Sequence, residues 1–161
     1  MPGRVELKLA ELGISLPTPM PPIANYVPYV VTGNLVAVSG QVPAVDGKIA
    51  ITGKVSWGVS VEQAKDAARL CFINVLGHLK LACGGDLDRV RRVVRLGGFV
   101  AAPSDFNQHA LVMNGASDLA VAVFGEAGRH ARTTIGVPSL PADAAVEVEG
   151  LFEIDQEPRH A

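Results

Sequence analysis

Two long stretches of helical periodicity interrupt a chain whose other regular segments, one short N-terminal helix aside, read as strand, and that alternation restricts the folds open to it. In Val61–Ala82, Ala64, Ala68, Cys71, Val75 and Leu79 recur at helical spacing, while Glu62, Lys65, Asp66 and Arg69 supply a polar side. Gly84-Gly85 ends that helix. In Asp105–Phe124 the buried side comprises Phe106, Ala110, Met113, Ala120 and Phe124, and Asn114-Gly115 is expected to distort the middle. Around these helices lie β-like runs: Tyr26–Thr32 and Leu35–Ser39 joined at Thr32-Gly33-Asn34, a short Lys48–Thr52, Val90–Ala102, Ala131–Val137 and Ala144–Ile154. The order predicts an α+β fold, a sheet with two helices on one face. A short helix at Val5–Leu12 and a proline-rich arm (Pro17, Pro19, Pro21, Pro22) precede it, and the whole of residues 1–161 is expected to form one domain.

Two helices cover only one face of such a sheet, yet several strands carry apolar residues towards the other. A second copy of the chain is the simplest cover, so a homo-oligomer with clefts between subunits is expected. The mean hydropathy of +0.29 agrees with apolar surface closed in an interface. A net charge of −2 argues against broad capture of nucleic acid, and the short cluster Arg89, Arg91, Arg92 and Arg95 would be split between the faces of a strand. Cys71 and Cys83 stand too far apart along one helix for a disulfide and read as small buried residues of a reducing compartment. With no apolar leader and no run of about 18 apolar residues, a cytoplasmic protein without membrane contact is expected.

Chemistry concentrates near the carboxyl end, in ARTTIGVPSLPADAAVEVEG (Ala131–Gly150). Alternation places Arg132, Thr134 and Gly136 on one side of the first run; in the second, Val146, Val148, Phe152 and Ile154 oppose Glu147, Glu149 and Glu153. If the two runs pair antiparallel across the Pro138–Asp143 turn, Arg132 comes near a glutamate. Such a pair is either a surface ion pair worth well under ~1 kcal/mol or a guanidinium fork set for a carboxylate.

Other motifs are thin. His78, His109, His130 and His160 are scattered with no pair at i, i+4, which argues against a metal site and for surface or capping histidines. Ser39 sits in SGQ rather than GxSxG, and the glycine pairs make no phosphate loop. Trp57 and Tyr29 read as packing residues; Tyr26 either satisfies its hydroxyl in the core or lines a pocket.

Three features in this order resemble one family: Gly33-Asn34 running into SGQVP (Ser39–Pro43), the Arg132 segment ARTTIGVPSLP, and the closing AVEVEG (Ala145–Gly150). The chain is similar to the reactive intermediate deaminases, RidA/YjgF, also called endoribonuclease L-PSP or translation inhibitor, from about Tyr26 to Ile154. The resemblance implies a chorismate-mutase-like mixed sheet, a homotrimer with three clefts between subunits, and hydrolysis of enamines and imines such as 2-aminoacrylate to 2-keto acids and ammonia, with no cofactor or metal. It further implies that Arg132 holds the substrate carboxylate, that Glu147 positions the hydrolytic water, and that Ser39, Gly40 and Tyr26 line the cleft. Asn114 matches a family asparagine after a one-residue shift, and Thr134 stands where many members have cysteine, which removes any thiol role. Asn25 replaces the usual proline, and with the N-terminal arm it marks a divergent branch. A carboxylate-binding regulatory trimer without turnover and a ribonuclease are the alternatives.

Overall fold

The computed structural model describes residues 1–19 and 24–156. Pro21 and Pro22 of the arm, and His160, lie outside the described residues. The sheet is built from β1 (Tyr29–Thr32), β2 (Leu35–Gln41), β7 (Val90–Ala101), β8 (Ala131–Val137) and β9 (Val146–Ile154). Between β2 and the first long helix lie two-residue strands, β3 (Ala44–Val45) with β4 (Lys48–Ile49), and β5 (Lys54–Val55) with β6 (Gly58–Val59). Three helices complete the regular structure: α1 (Arg4–Glu11), α2 (Val61–Ala82) and α3 (His109–Phe124).

The strand order is β1-β2-β9-β7-β8, antiparallel throughout except for the parallel pair β7/β8. The expected hairpin between the Ala131 and Ala144 runs is therefore wrong: β7 lies between β8 and β9 and pairs with both. The reason lies in the connection. Ala101 donates to Ala145 O at 2.9 Å and Ala102 to Val137 O at 3.1 Å, so both flanks of the Pro138–Asp143 segment are tied to the end of β7, and the chain crosses over it. A strand with Val90, Val93, Leu96 and Val100 all buried takes an interior place beside β9, leaving β8 at the edge.

Both long helices cover one face, α2 over β2 and β9 and α3 over β7 and β8. Val36, Val38, Leu96, Val100, Val146, Val148 and Phe152 point into that layer, where Phe72, Leu76, Leu79 and Met113 meet them in one core. The fold is thus the expected α+β layout, a mixed sheet with two helices on one face. Ser60 caps α2 in a reciprocal box with Gln63. The Asp88 carboxylate accepts from the amides of Arg4 and Val5 at 2.7 and 2.8 Å, docking α1.

Three local expectations change. Helix α3 starts at His109 rather than Asp105, because Phe106 N closes a turn on Pro103 O at 3.1 Å. It runs unbroken through Asn114-Gly115: a Cβ on Gly115 would stand 1.9 Å from Lys65 O, so this glycine serves close approach of α2 rather than distortion. Gly115→Ala is expected to lower the Tm by roughly 5 °C, through an overpacking cost of about 1–3 kcal/mol, in a thermal melt. Trp57 is 67% exposed and not a packing residue; its ring lies 5.6 Å from the Lys54 ammonium. Residues His109–Gly128 are long and apolar enough to cross a membrane by length and composition, but the buried side of α3 belongs to the core.

Candidate functional site

Because cross-strand partners share a face, the register of β8 on β7 settles where the predicted site residues point. Arg132 lies opposite Leu96, Thr134 opposite Gly98 and Gly136 opposite Val100, so all three look to the helix side. Residues Ala110, Asn114 and Ser117 fall on one stripe of α3, at i, i+4 and i+7. Edge strand and stripe meet at the arginine. Arg132 Nη1 donates to Asn114 Oδ1 at 2.9 Å and to Ser117 Oγ at 3.1 Å, and Nη2 donates to Ala110 O at 3.2 Å.

Every one of those partners is a neutral oxygen. Among the described residues no carboxylate pairs with Arg132, and three bonds leave two of a guanidinium's five donors unused. A half-buried cation ordered by neutral dipoles, with hydrogens to spare, is a seat for an anion with two oxygens. Asn114 and Arg132, 18 residues apart in the chain, are brought together by that bond.

Thr134, two residues on, has a buried hydroxyl with no hydrogen-bond partner among the described residues. An unmet buried hydroxyl costs about 1–3 kcal/mol. Thr134→Val, which keeps the shape, is expected to leave the Tm unchanged or raise it by about 1–3 °C, a gain a melting curve would detect. His109, at the start of α3, sits over Gly136, where a Cβ would stand 2.6 Å from its Nε2.

Glu147 lies elsewhere. It pairs with Phe99, and Phe99 with Ile135, so its side chain looks out from the face opposite Arg132. Arg132 and Glu147 of one chain are therefore separated by the sheet and do not meet. Gly40 joins Glu147 instead: the irregularity after Val38 in β2 presses its backbone against the carboxylate, and a Cβ there would stand 2.1 Å from Oε1. Ser39 beside it donates from Oγ to Val27 O at 2.9 Å. Tyr26 precedes β1, which begins only after Pro28, and is more than half exposed rather than satisfied in the core.

Glu147 has no hydrogen-bond or ion-pair partner among the described residues. Burial, and then the charge of Glu149, hold its carboxyl above the usual carboxylate range. With its folded value above the unfolded one, the folded state binds more protons, so this group's contribution to stability falls as pH rises through that range. Glu147→Gln is expected to raise the Tm at pH 7.5 by about 1–3 °C and to gain nothing at pH 4, in paired melts.

Sequence reading missed Ser117 and His130. The signals were the Ala110–Asn114–Ser117 spacing and the alternation His130-x-Arg132, which puts both side chains on one side of an extended chain. Cys71 and Cys83 are free and buried, and burial pushes the Cys83 thiol up to about 11 and Cys71 well above its ordinary value.

The family profile described as "YjgF/chorismate mutase-like, putative endoribonuclease" matches residues 6–154. Protein TCP17 of Trypanosoma cruzi is 46% identical over 154 residues, covering 95% of this chain and 96% of its own. Among solved structures, Atu1372 of Agrobacterium tumefaciens, described as of unknown function, is 49% identical with a TM-score of 0.89, covering 94% of this chain and 93% of that one. A Shewanella oneidensis protein described as an endoribonuclease of the same provisional kind is 33% identical with a TM-score of 0.89, over 93% and 99% of the two chains. Escherichia coli TdcF, solved with serine bound, is 23% identical with a TM-score of 0.63 over 86% and 94%, a likeness of fold. With a match from residue 6 to residue 154 and close relatives along nearly their whole length, the chain belongs to the YjgF/chorismate mutase-like family.

Proposed function

We propose that this protein hydrolyses small enamines and imines that carry a carboxylate, of the 2-aminoacrylate type, to 2-keto acids and ammonia. The observation that carries the reading is the Arg132 guanidinium: half-buried, held by three neutral acceptors, and without a counter-ion among the described residues. A substrate carboxylate would supply that counter-ion.

The chemistry asks little more. A proton added to the methylene carbon of the enamine, with one N–H proton given up, gives the imine; water then adds to the C=N carbon, its proton passing through a base to the nitrogen. The resulting carbinolamine expels ammonia as the C=O bond forms. A carboxylate with a raised pKa is suited to take and return the water proton, and Glu147 is the group for that role, with Gly40 and Ser39 forming the wall beside it. Tyr26 and Thr134 line the cleft on this reading.

One small molecule cannot touch both Arg132 and Glu147 of the same chain, because they lie on opposite faces. The working site is therefore assembled between copies, Arg132, Asn114 and Thr134 from one subunit and Glu147, Gly40, Ser39 and Tyr26 from the next. The exposed Val30 and Ile135 on the face away from the helices give a second copy apolar surface to cover. A homotrimer closes such head-to-tail contacts into a ring. Residues 1–161 acting as one domain, in the reducing cytoplasm that suits two free buried thiols, complete the reading.

The test is ammonia and pyruvate release from freshly generated 2-aminoacrylate, with and without the protein. Acceleration that is lost in Arg132→Ala supports the reading. Tight pyruvate binding without acceleration would make the protein a carboxylate-binding regulator, and cleavage of RNA at the same residues would overturn the reading in favour of a nuclease.

A further inference from the structure

Behind the arginine stands a second row of hydrogen bonds that the chemistry above does not require. His130 Nδ1 lies 2.6 Å from Gly128 O, and its Nε2 lies 2.9 Å from Ser117 Oγ, the same oxygen that accepts from Arg132. A carbonyl only accepts, so Nδ1 carries the hydrogen. In the neutral imidazole Nε2 is then the acceptor, and Ser117 donates to it. That turns a lone pair of Ser117 Oγ toward Arg132. With His130 neutral, the sense of the whole row is fixed: Arg132 to Ser117, Ser117 to His130, His130 to the Gly128 carbonyl.

We propose that Ser117 and His130 are positioning residues for Arg132, a relay that holds the guanidinium against the stripe of α3 so that its two unused donors are set in advance for a carboxylate. Without His130 the Ser117 hydroxyl is free to rotate and present its proton, not its lone pair, to the cation. Without Ser117, Nη1 keeps only Asn114. Preorganisation is the gain: a guanidinium already held loses less rotational freedom when the ligand arrives. As a claim about carboxylate capture this rests on the function proposed above; as a claim about the arginine it stands on the three hydrogen bonds alone.

The test uses two readouts on the full chain. In the ligand-free, 15N-labelled protein, nuclear magnetic resonance is expected to show slow rotation of the Arg132 Nη groups. That rotation should be at least about 10-fold faster in Ser117→Ala and His130→Ala, and restored in Ser117→Thr, which keeps the hydroxyl. Pyruvate titration is then expected to show affinity about 5- to 20-fold weaker in both alanine variants and near that of the unaltered protein in Ser117→Thr. In turnover, KM should rise with kcat within about 2-fold. If both alanine variants keep slow rotation and full affinity, the relay is overturned while the carboxylate site stands. If the unaltered protein shows slow rotation that Ser117→Ala abolishes but binds no pyruvate, the relay stands and the proposed substrate class falls.

Discussion

Arg132→Ala is expected to lower kcat/KM for 2-aminoacrylate-type substrates by about 10²–10³, with the loss shared by pyruvate affinity. Each charge-assisted bond to a carboxylate contributes about 1.5–3 kcal/mol, and two donors are unused in the structure. Arg132→Lys keeps the charge but not the fork, and is expected to recover only part of the loss, leaving a deficit of roughly 10-fold or more. The Tm should move little in either variant, since three hydrogen bonds are lost while a half-buried cation without a counter-ion is also removed. Unchanged hydrolysis in Arg132→Ala would end the assignment, and a large drop in Tm would mean that the arginine is a structural group instead.

The second large effect is a recovery. Arg132→Ala and Glu147→Ala are each expected to keep about 1% of turnover or less, yet unfolding and refolding an equal mixture of the two should restore roughly a quarter of the sites. The fraction follows from the proposed placement: if a site takes its arginine from one copy and its glutamate from the next, one pairing in four is intact. Sites built within single chains would recover nothing on mixing. The face-to-face opposition of Leu96–Arg132 and Phe99–Glu147 along the same interior strand is what makes that outcome the unexpected one.

What could be seen in the sequence followed from periodicity. Val61–Ala82 was legible to the residue, since its apolar spacing and glycine stop agree. The alternation in β9 was equally plain, with Val146, Val148, Phe152 and Ile154 buried as expected. Pairing was not legible. Ala131–Val137 and Val146–Ile154 look like a hairpin because their joining segment is short, and nothing local says that a 12-residue strand far upstream slides between them. Such a choice is made by which strand has most apolar side chain to bury, a property of the assembled sheet.

The same limit shaped the reading of the site. Arg132 was identified from its segment, but its supposed glutamate partner was inferred from a pairing that does not exist. Its real neighbours lie on α3, 15 to 22 residues back along the chain. Asn114 entered through resemblance, Ser117 not at all and His130 only as a surface or capping histidine, because a serine in a helix and a lone histidine carry little signal until an edge strand is laid beside them. Gly115 was read as a flaw in the helix for a similar reason: whether a glycine loosens a backbone or admits a neighbour depends on what stands against it.

The place of β7 between the two halves has a consequence for when the protein works. On the function proposed above, a chain with its anion-holding group on one side of a wall and its proton acceptor on the other would be chemically silent until another copy arrives. Specific activity should then fall steeply on dilution, with a lag on reconcentration set by reassembly. A cell that makes only a little of this protein would have almost none of its chemistry.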